Sequence, residues 1–255
     1  MVDKPAGLTS FRTALRTARR FGLRKAGHTG TLDSNVTGLL VVGLGEATKG
    51  LSLLARLDKE YEGTMRVCGS PSLAELRAAA ARFVGTITQM PPERSAVNRV
   101  LRQRRVYCFD ILRLSPISGG DAVAAEFRTA TEAGTYVRTL LADLGRMMGV
   151  EIAMSSLRRT RVGPFCLAEA KRLEELTPAD LLPLQEVLRR VNVPPVEIGP
   201  EEEIRVRRGL AIAARSAGEV ATECETVSLV GRAGRVVALA RREGNLWRPF
   251  RVLAP

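Results

Sequence analysis

The sequence predicts an α+β protein with a mixed, mainly antiparallel sheet, flanking helices and a small C-terminal unit rich in β-strands. Segments with apolar residues at helical spacing occur along the chain together with segments whose apolar residues recur at every second position. Two of the strand-like segments flank the turn-rich residues 115–120, as in an antiparallel hairpin. After Val193-Pro194-Pro195, short strand-like segments and turns dominate.

Length and composition restrict the possible functions. A chain of 255 residues with 45% hydrophobic and 26% charged residues can bury one sizeable core and a small second one. Lysine and arginine (39) exceed aspartate and glutamate (27), which gives a net charge of +12 and favours a polyanionic partner such as nucleic acid. A solubility or thermal adaptation is the alternative. The sequence shows no signal peptide or long apolar run, so no membrane partner is predicted.

The four cysteines are widely separated and form no C-x-x-C pair. With a single histidine in the chain, this spacing argues against a structural zinc site. We expect the cysteines to be reduced core residues, as in a cytosolic protein. They are Cys68, Cys108, Cys166 and Cys224.

The first predicted helix begins at Ser10, whose side chain can cap it, and ends at Gly22. Arginines cover much of its surface, either as a solvated face or as one that meets phosphates, and the sequence leaves both open. The apolar positions are Phe11, Ala14, Leu15, Ala18 and Phe21.

The stretch from Lys25 to Gly38 is a loop of small polar residues and glycines. It contains the only histidine of the chain, His28, and one carboxylate, Asp33, and the apolar residues 39–43 that follow predict a buried strand. Such a loop can present a single acid to a large substrate. The alternative is an Asx turn that only shapes the loop.

The middle and later segments continue the mixture of helices and strands. A helix from Val137 to Met148 has one apolar face, and Arg138 lies beside that face near the helix start. A cation gains nothing from the helix dipole at this end of a helix. Either Arg138 binds a specific anion, or its side chain snorkels, with its stem on the apolar face and its charge in water. The other predicted elements are a short helix from Thr48, a strand from Tyr61, a helix capped by Ser72 and Glu75 and closed by Gly85, strands at 102–107, 122–128 and 151–161, and a helix at 182–191.

Beyond the prolines, about sixty residues predict a small β-barrel or half-open sheet. Its predicted strands cover residues 203–208, 227–230, 236–240 and 247–253, with a turn at 231–234.

Several motifs, in this order along the chain, resemble those of the TruB/dyskerin family of RNA pseudouridine synthases. The resemblance covers nearly the whole chain, and the chain departs from the family at Ser34, where proline is usual. The residues that carry it are Asp3-Lys4-Pro5-Ala6-Gly7-Leu8-Thr9-Ser10, Gly27-His28-Thr29-Gly30-Thr31-Leu32-Asp33, Lys59-Glu60-Tyr61, Gly134-Thr135-Tyr136-Val137-Arg138 and the run from Leu157 to Phe165.

The resemblance implies isomerisation of uridine to pseudouridine within RNA, without a cofactor or metal. It implies that Asp33 acts on the ribose, that Arg138 pairs with Asp33, and that Tyr61 stacks on the target base. It also implies a catalytic domain at residues 1–192 and, from position and size, a PUA-like RNA-binding domain at 193–255. The residues expected to bind substrate are His28, Leu157, Lys4, Lys25 and Thr31, with Lys4 and Lys25 either contacting phosphates or positioning loops.

The form Arg102-Gln103-Arg104-Arg105-Val106-Tyr107 is similar to the archaeal–eukaryotic dyskerin branch. Only 15 residues separate Gly69 from Gly85, so a long insertion typical of the bacterial branch is missing. Both features imply the catalytic subunit of an H/ACA guide-RNA ribonucleoprotein that acts on rRNA, with small companion proteins. It would be cytoplasmic in a prokaryote and nuclear or nucleolar in a eukaryote.

Two alternatives to the guided enzyme stay open. One is a standalone enzyme for the tRNA T-loop, and the other is a non-catalytic RNA-binding scaffold. The chain begins almost at the first motif, without the upstream segment usual in the guided branch, and this weighs against the guided enzyme.

Overall fold

The computed structural model describes residues 1–92, 98–118, 121–214 and 224–253, and in these ranges it contains sixteen strands and six α-helices. The strands are β1 Val2–Lys4, β2 Ala26–His28, β3 Thr37–Leu40, β4 Val42–Leu44, β5 Lys59–Cys68, β6 Gly85–Gln89, β7 Arg102–Pro116, β8 Ala122–Thr131, β9 Ile152–Val162, β10 Phe165–Cys166, β11 Lys171–Arg172, β12 Pro195–Glu197, β13 Ile212–Ala213, β14 Thr226–Val230, β15 Val236–Glu243 and β16 Leu246–Val252. The helices are α1 Ser10–Arg20, α2 Leu51–Leu54, α3 Leu73–Ala81, α4 Val137–Met148, α5 Leu184–Arg190 and α6 Pro200–Arg207.

A nine-stranded sheet forms the larger part of the fold. Its strand order is β11-β1-β3-β9-β5-β8-β7-β6, and β10 pairs with β9. The long strand β5 runs antiparallel to both β8 and β9, whereas β3 is parallel to β9 and β1 is parallel to β11. The predicted mixed, mainly antiparallel sheet is therefore confirmed.

Helices α3 and α4 share the main hydrophobic core with strands β5, β7, β8 and β9. The predicted capping box of α3 is present, because the Ser72 hydroxyl accepts from the Glu75 N–H and the Glu75 carboxylate accepts from the Ser72 N–H. The α-helix ends at Ala81, earlier than Gly85. Tighter i→i−3 turns, such as Val84 N–H to Ala81 O at 3.2 Å, fill the remaining residues.

Helix α1 differs from its prediction in its cap and in its buried face. Thr9 is the N-cap and accepts from the Arg12 N–H, while Ser10 is buried. Phe11, predicted for the apolar face, is 60% exposed. The buried face consists of small residues whose hydroxyls bond to main-chain groups, so the helix can approach the neighbouring loop closely. These residues are Ser10, Thr13, Ala14, Thr17 and Ala18.

The second sheet has the order β12-β14-β15-β16-β13 and packs against α6 around the buried Trp247. The strands predicted at 227–230, 236–240 and 247–253 are confirmed by β14, β15 and β16, and Gly234 N–H bonds to Gly231 O in the predicted turn.

The strand predicted at 203–208 is wrong, because this segment belongs to α6. Pro200 lies in the first turn, where its missing N–H costs no hydrogen bond, and acidic residues in the same turn suit the helix dipole. Glu203 and Arg207 form an ion pair of 2.7 Å at i,i+4 spacing. Of the two apolar residues in the predicted alternation, α6 buries Val206 and leaves Ile204 exposed.

The two sheets are joined through an apolar cluster. Leu188 of α5 and Val193, which follows it, pack with Val230, Leu239 and Leu253 of the second sheet. The predicted domain boundary at 192/193 lies in this connection and stays a prediction.

Two further expectations concern the whole chain. The four cysteines form no disulfide bond with one another, and all of them are partly exposed, so their assignment to the core is wrong. Within the described residues, no helix has the length and apolar character needed to span a membrane.

Gly38 is expected to be essential for the junction between β3 and β9. Its φ is 102°, and a Cβ there would lie 2.7 Å from Arg159 N and would also overlap Arg159 O. We expect Gly38→Ala to lower the free energy of unfolding by about 3 kcal/mol or more in urea denaturation.

Gly45→Ala is the matched control, because Gly45 has a φ of 55° but nothing lies within 4 Å of its added Cβ. In this variant the free energy of unfolding should fall by only about 1 kcal/mol, the cost of a left-handed conformation for alanine. Equal losses for the two variants would show that the close strand approach at Gly38 is unimportant.

Candidate active site

The loop that carries Asp33 connects β2 to β3 and is held by the N-terminal segment. The Ser10 hydroxyl accepts from Leu32 N–H at 2.8 Å and donates to Leu32 O at 3.1 Å. The Lys4 ammonium is fully buried and donates to Ser34 O, as well as to two carbonyls of its own segment. Through these contacts the first motif, residues 3–10, holds the loop of the second motif, residues 27–33, in place.

Asp33 and Arg138 form an ion pair, with 3.1 Å between Asp33 Oδ2 and Arg138 Nε. Each side chain is a little over one third exposed, so the pair opens to solvent on one side. The start of α4, which positions Arg138, is held by Gln89: its amide oxygen accepts from Tyr136 N–H at 3.1 Å and its amide nitrogen donates to Tyr136 O. The predicted contact between the acid and a cation is therefore present.

A cavity of about 350 Å³ lies beside this ion pair. Pockets that hold small ligands measure about 300–1,000 Å³, so a single nucleobase with its ribose is a suitable occupant. The cavity wall includes Thr31, Asp33, Tyr61, Arg138 and Leu157, which are five of the eight residues predicted for the site. Strands β5 and β9 position two of them, because Tyr61 is paired with Arg159 and Gly63 with Leu157 across the sheet.

Sequence reasoning missed two cations in the cavity wall, Lys59 and Arg159. Both are buried, and the Arg159 guanidinium interacts with the Tyr61 side chain. Burial, together with the neighbouring positive charge of Arg159, lowers the pKa of Lys59 to about 8. The signal was present in the sequence, since strand alternation places Lys59 on the same face as Tyr61, and Arg159 on the same face as Leu157.

The other predicted substrate-binding residues lie outside the cavity wall. Lys4 is fully buried against backbone carbonyls, which favours the loop-positioning alternative over contact with a phosphate. Lys25 is exposed and pairs with Glu46 at 3.0 Å, on the surface behind β2.

His28 lies on β2, is partly buried, and its Nδ1 atom has no hydrogen-bond partner within the described protein. Burial and the charge of Arg159 lower the pKa of His28, which favours its neutral imidazole. Within the described ranges, no group of three or more histidine, cysteine, aspartate or glutamate residues is arranged to hold a metal ion.

Comparison with known proteins connects this geometry to one family. A sequence model of the N-terminal domain of TruB family pseudouridylate synthases matches residues 18–72. A model of the tRNA pseudouridylate synthase B C-terminal domain matches residues 138–199. The first match contains Asp33 and Tyr61, and the second contains Arg138 and Leu157.

Curated relatives share the similarity. The probable tRNA pseudouridine synthase B of Methanosarcina acetivorans is 34% identical over 260 residues, which cover 96% of this chain and 75% of that protein. The protein of the same name from Methanopyrus kandleri is 43% identical over 178 residues, or 70% of this chain and 51% of the relative. Other matches cover from 47% to 62% of the relative, so the chain spans about half the length of several curated relatives.

Solved structures have the same fold over the whole chain. The structure described as a Cbf5-Nop10-Gar1 complex superposes with a TM-score of 0.82 at 30% identity. The match covers 100% of this chain and 84% of the chain in that structure. An H/ACA RNP bound to a substrate RNA containing 2′-deoxyuridine gives a TM-score of 0.79 at 28% identity, with the same coverage. Similarity along nearly the full sequence, combined with this fold, shows that the chain belongs to the TruB family of pseudouridylate synthases.

Proposed function

We propose that the protein isomerises uridine to pseudouridine within RNA, with the Asp33 carboxylate as the catalytic group of the site. The observation that carries this proposal is the Asp33–Arg138 ion pair at the mouth of a cavity of nucleoside size. Tyr61 supplies an aromatic face for stacking, and Leu157 supplies an apolar wall for the base.

Pseudouridine formation is an isomerisation, so its atoms come entirely from the substrate. The bond between C1′ and N1 breaks, the detached base turns, and C5 bonds to C1′ and then loses its proton while N1 gains one. Asp33 either adds to C1′ or removes the 2′ proton, and both routes require its carboxylate. The Arg138 guanidinium holds that carboxylate in place through a charge-assisted contact.

The target uridine must leave its base stack to reach this cavity. A second, open groove of about 440 Å³ adjoins the site and shares Arg138 with it, with Met90, Leu101 and Arg146 also in its wall. A cationic, partly apolar groove next to the cavity suits the strand on either side of an extruded nucleotide. The net charge of +12 supports RNA binding in general.

We further propose that the protein acts as the catalytic subunit of an H/ACA guide-RNA ribonucleoprotein on rRNA, with residues 193–255 as a PUA-like RNA-binding domain. The similarity to Cbf5 in complexes with Nop10 and Gar1 supports this assignment. The names of the curated relatives support the alternative, a tRNA pseudouridine synthase that acts on its own.

Pseudouridine mapping separates these functions. The full chain is incubated with bare tRNA, and separately with guide RNA, target RNA and the companion proteins. We expect conversion of one uridine in the guided reaction and none in bare tRNA. Conversion of bare tRNA would instead establish the standalone enzyme. Unmodified uridine in both reactions would overturn the catalytic proposal and favour the RNA-binding scaffold.

A further inference from the structure

The wall of the cavity beside Asp33 contains two buried cations that form no ion pair among the described residues, although the charge of Asp58 acts on Lys59 from a longer distance. Lys59 is 5% exposed and Arg159 is 1% exposed, and both lie in the cavity wall. Within the part of the chain that the structure describes, neither has a carboxylate oxygen within 4.0 Å. Asp33 and Arg138 balance each other, so the remaining charge of the wall is positive.

Backbone carbonyls contact both cations, and the Tyr61 side chain also interacts with Arg159, but none of these groups is a carboxylate. Lys59 donates to Ala55 O at 2.8 Å and to Leu57 O, and Arg159 donates to Leu39 O at 2.8 Å and to Gly30 O at 3.3 Å. An ammonium carries three protons, so Lys59 keeps one proton beyond these two bonds. Burying a cation without an ionic partner is costly.

The contrast with Lys4 supports a role in the cavity. Lys4 is also buried, but its ammonium donates to three carbonyls, so all three of its protons have acceptors. It is not part of the cavity wall. Lys59 and Arg159 instead face the space in which the base would lie. A site of this kind suits a ligand that becomes negatively charged during the reaction.

We propose that Lys59 and Arg159 stabilise the negative charge that develops on the uracil ring as its bond to the ribose breaks. This inference rests on the proposed function. When the C1′–N1 bond breaks, its electron pair remains on N1 and spreads to the ring oxygens. Asp33 relieves the positive charge of the ribose, by adding to C1′ or by taking the 2′ proton. C5 then bonds to C1′, which releases Asp33 or returns its proton, and the C5 proton is lost while N1 is protonated.

The test compares two substrates in one enzyme preparation. Target RNA carries either uridine or 5-fluorouridine at the modified position, and single-turnover consumption of that nucleoside is followed by mass spectrometry. Fluorine withdraws electrons, so the fluorinated ring is a better leaving group and depends less on nearby cations. Fluorine at C5 also prevents the last proton loss, and for this reason consumption is measured for both substrates.

Lys59→Gln removes the charge but keeps a donor for the carbonyls of Ala55 and Leu57. We expect this variant to consume uridine about 10²-fold more slowly than the wild type. Its consumption of 5-fluorouridine should fall only about tenfold. Lys59→Met should give the same change in the ratio of the two rates. Because each ratio comes from one preparation, the fraction of folded protein cancels.

Two controls separate charge from structure. Arg159→Lys keeps the charge and alters the hydrogen bonds, so its ratio of rates should equal that of the wild type even if both rates fall. Lys171→Met removes an exposed lysine on β11, which three other strands separate from β5, and should change neither rate.

Equal losses on both substrates for Lys59→Gln would overturn the inference, and so would a changed ratio for Arg159→Lys. These results leave the proposed function standing, because the wild type still converts uridine. A wild type that leaves uridine unchanged with every RNA would end both proposals.

Discussion

Asp33→Asn is expected to reduce pseudouridine formation by at least about 10³-fold. The amide has the same shape as the carboxylate, but it can neither add to C1′ nor accept the 2′ proton. The loss should appear in single-turnover rates at saturating RNA, since the shape of the cavity and the RNA-binding surface are unchanged.

The stability of this variant should stay within about 1 kcal/mol of the wild type, because an ion pair exposed to this extent contributes little. Both partners are more than one third exposed. Thermal unfolding would verify this. Asp110→Asn is the matched control, because Asp110 Oδ2 pairs with Arg128 Nε at 2.7 Å outside the cavity wall. If Asp33→Asn kept a tenth of the wild-type rate, the catalytic role of Asp33 would be wrong.

Arg138→Met is expected to reduce the rate by about 10²- to 10³-fold while the protein stays folded. Methionine fills a similar volume beside the apolar face of α4 but leaves the Asp33 carboxylate without its cationic partner. Single-turnover measurement at several RNA concentrations separates this loss from weaker RNA binding, since Arg138 also borders the outer groove.

Arg138→Lys supplies a charge without the planar guanidinium and should recover only part of the rate. The control is Arg128→Met, which breaks the corresponding Arg Nε to Asp Oδ2 pair on β7 and β8 and should retain the wild-type rate. Near-normal turnover by Arg138→Met would show that Asp33 needs no cation at this position.

Local sequence patterns were sufficient where an element is determined by neighbours along the chain. The capping box at Ser72, the alternation from Tyr61 and the apolar face of α4 all form as predicted. The prediction failed where tertiary packing selects among compatible patterns. Residues 203–208 alternate like a strand but lie in α6, and α1 buries small hydroxyl residues in place of Phe11.

In the candidate site, too, the sequence predicted some features and tertiary packing decided others. Family motifs indicated Asp33, Tyr61, Arg138 and Leu157, and each lies in the wall of one cavity. The motifs could not reveal how deeply a side chain is buried. Lys4 and Lys59 each lie in a family motif, yet Lys4 donates to the backbone of the Asp33 loop while Lys59 lies in the cavity wall.

By itself, the sequence determined the family, the order of most helices and strands, and which acid and which arginine belong together. These depend on residue types at short spacings, and on motifs that can be identified without coordinates. Only the tertiary structure decided that Asp33 and Arg138 lie 3.1 Å apart, and that Lys59 and Arg159 are buried in the same cavity wall without an ion pair to any described residue. The physical reason is that distance and desolvation arise when β5, β9 and α4 pack against the Asp33 loop, and residues far apart in the chain then share one cavity.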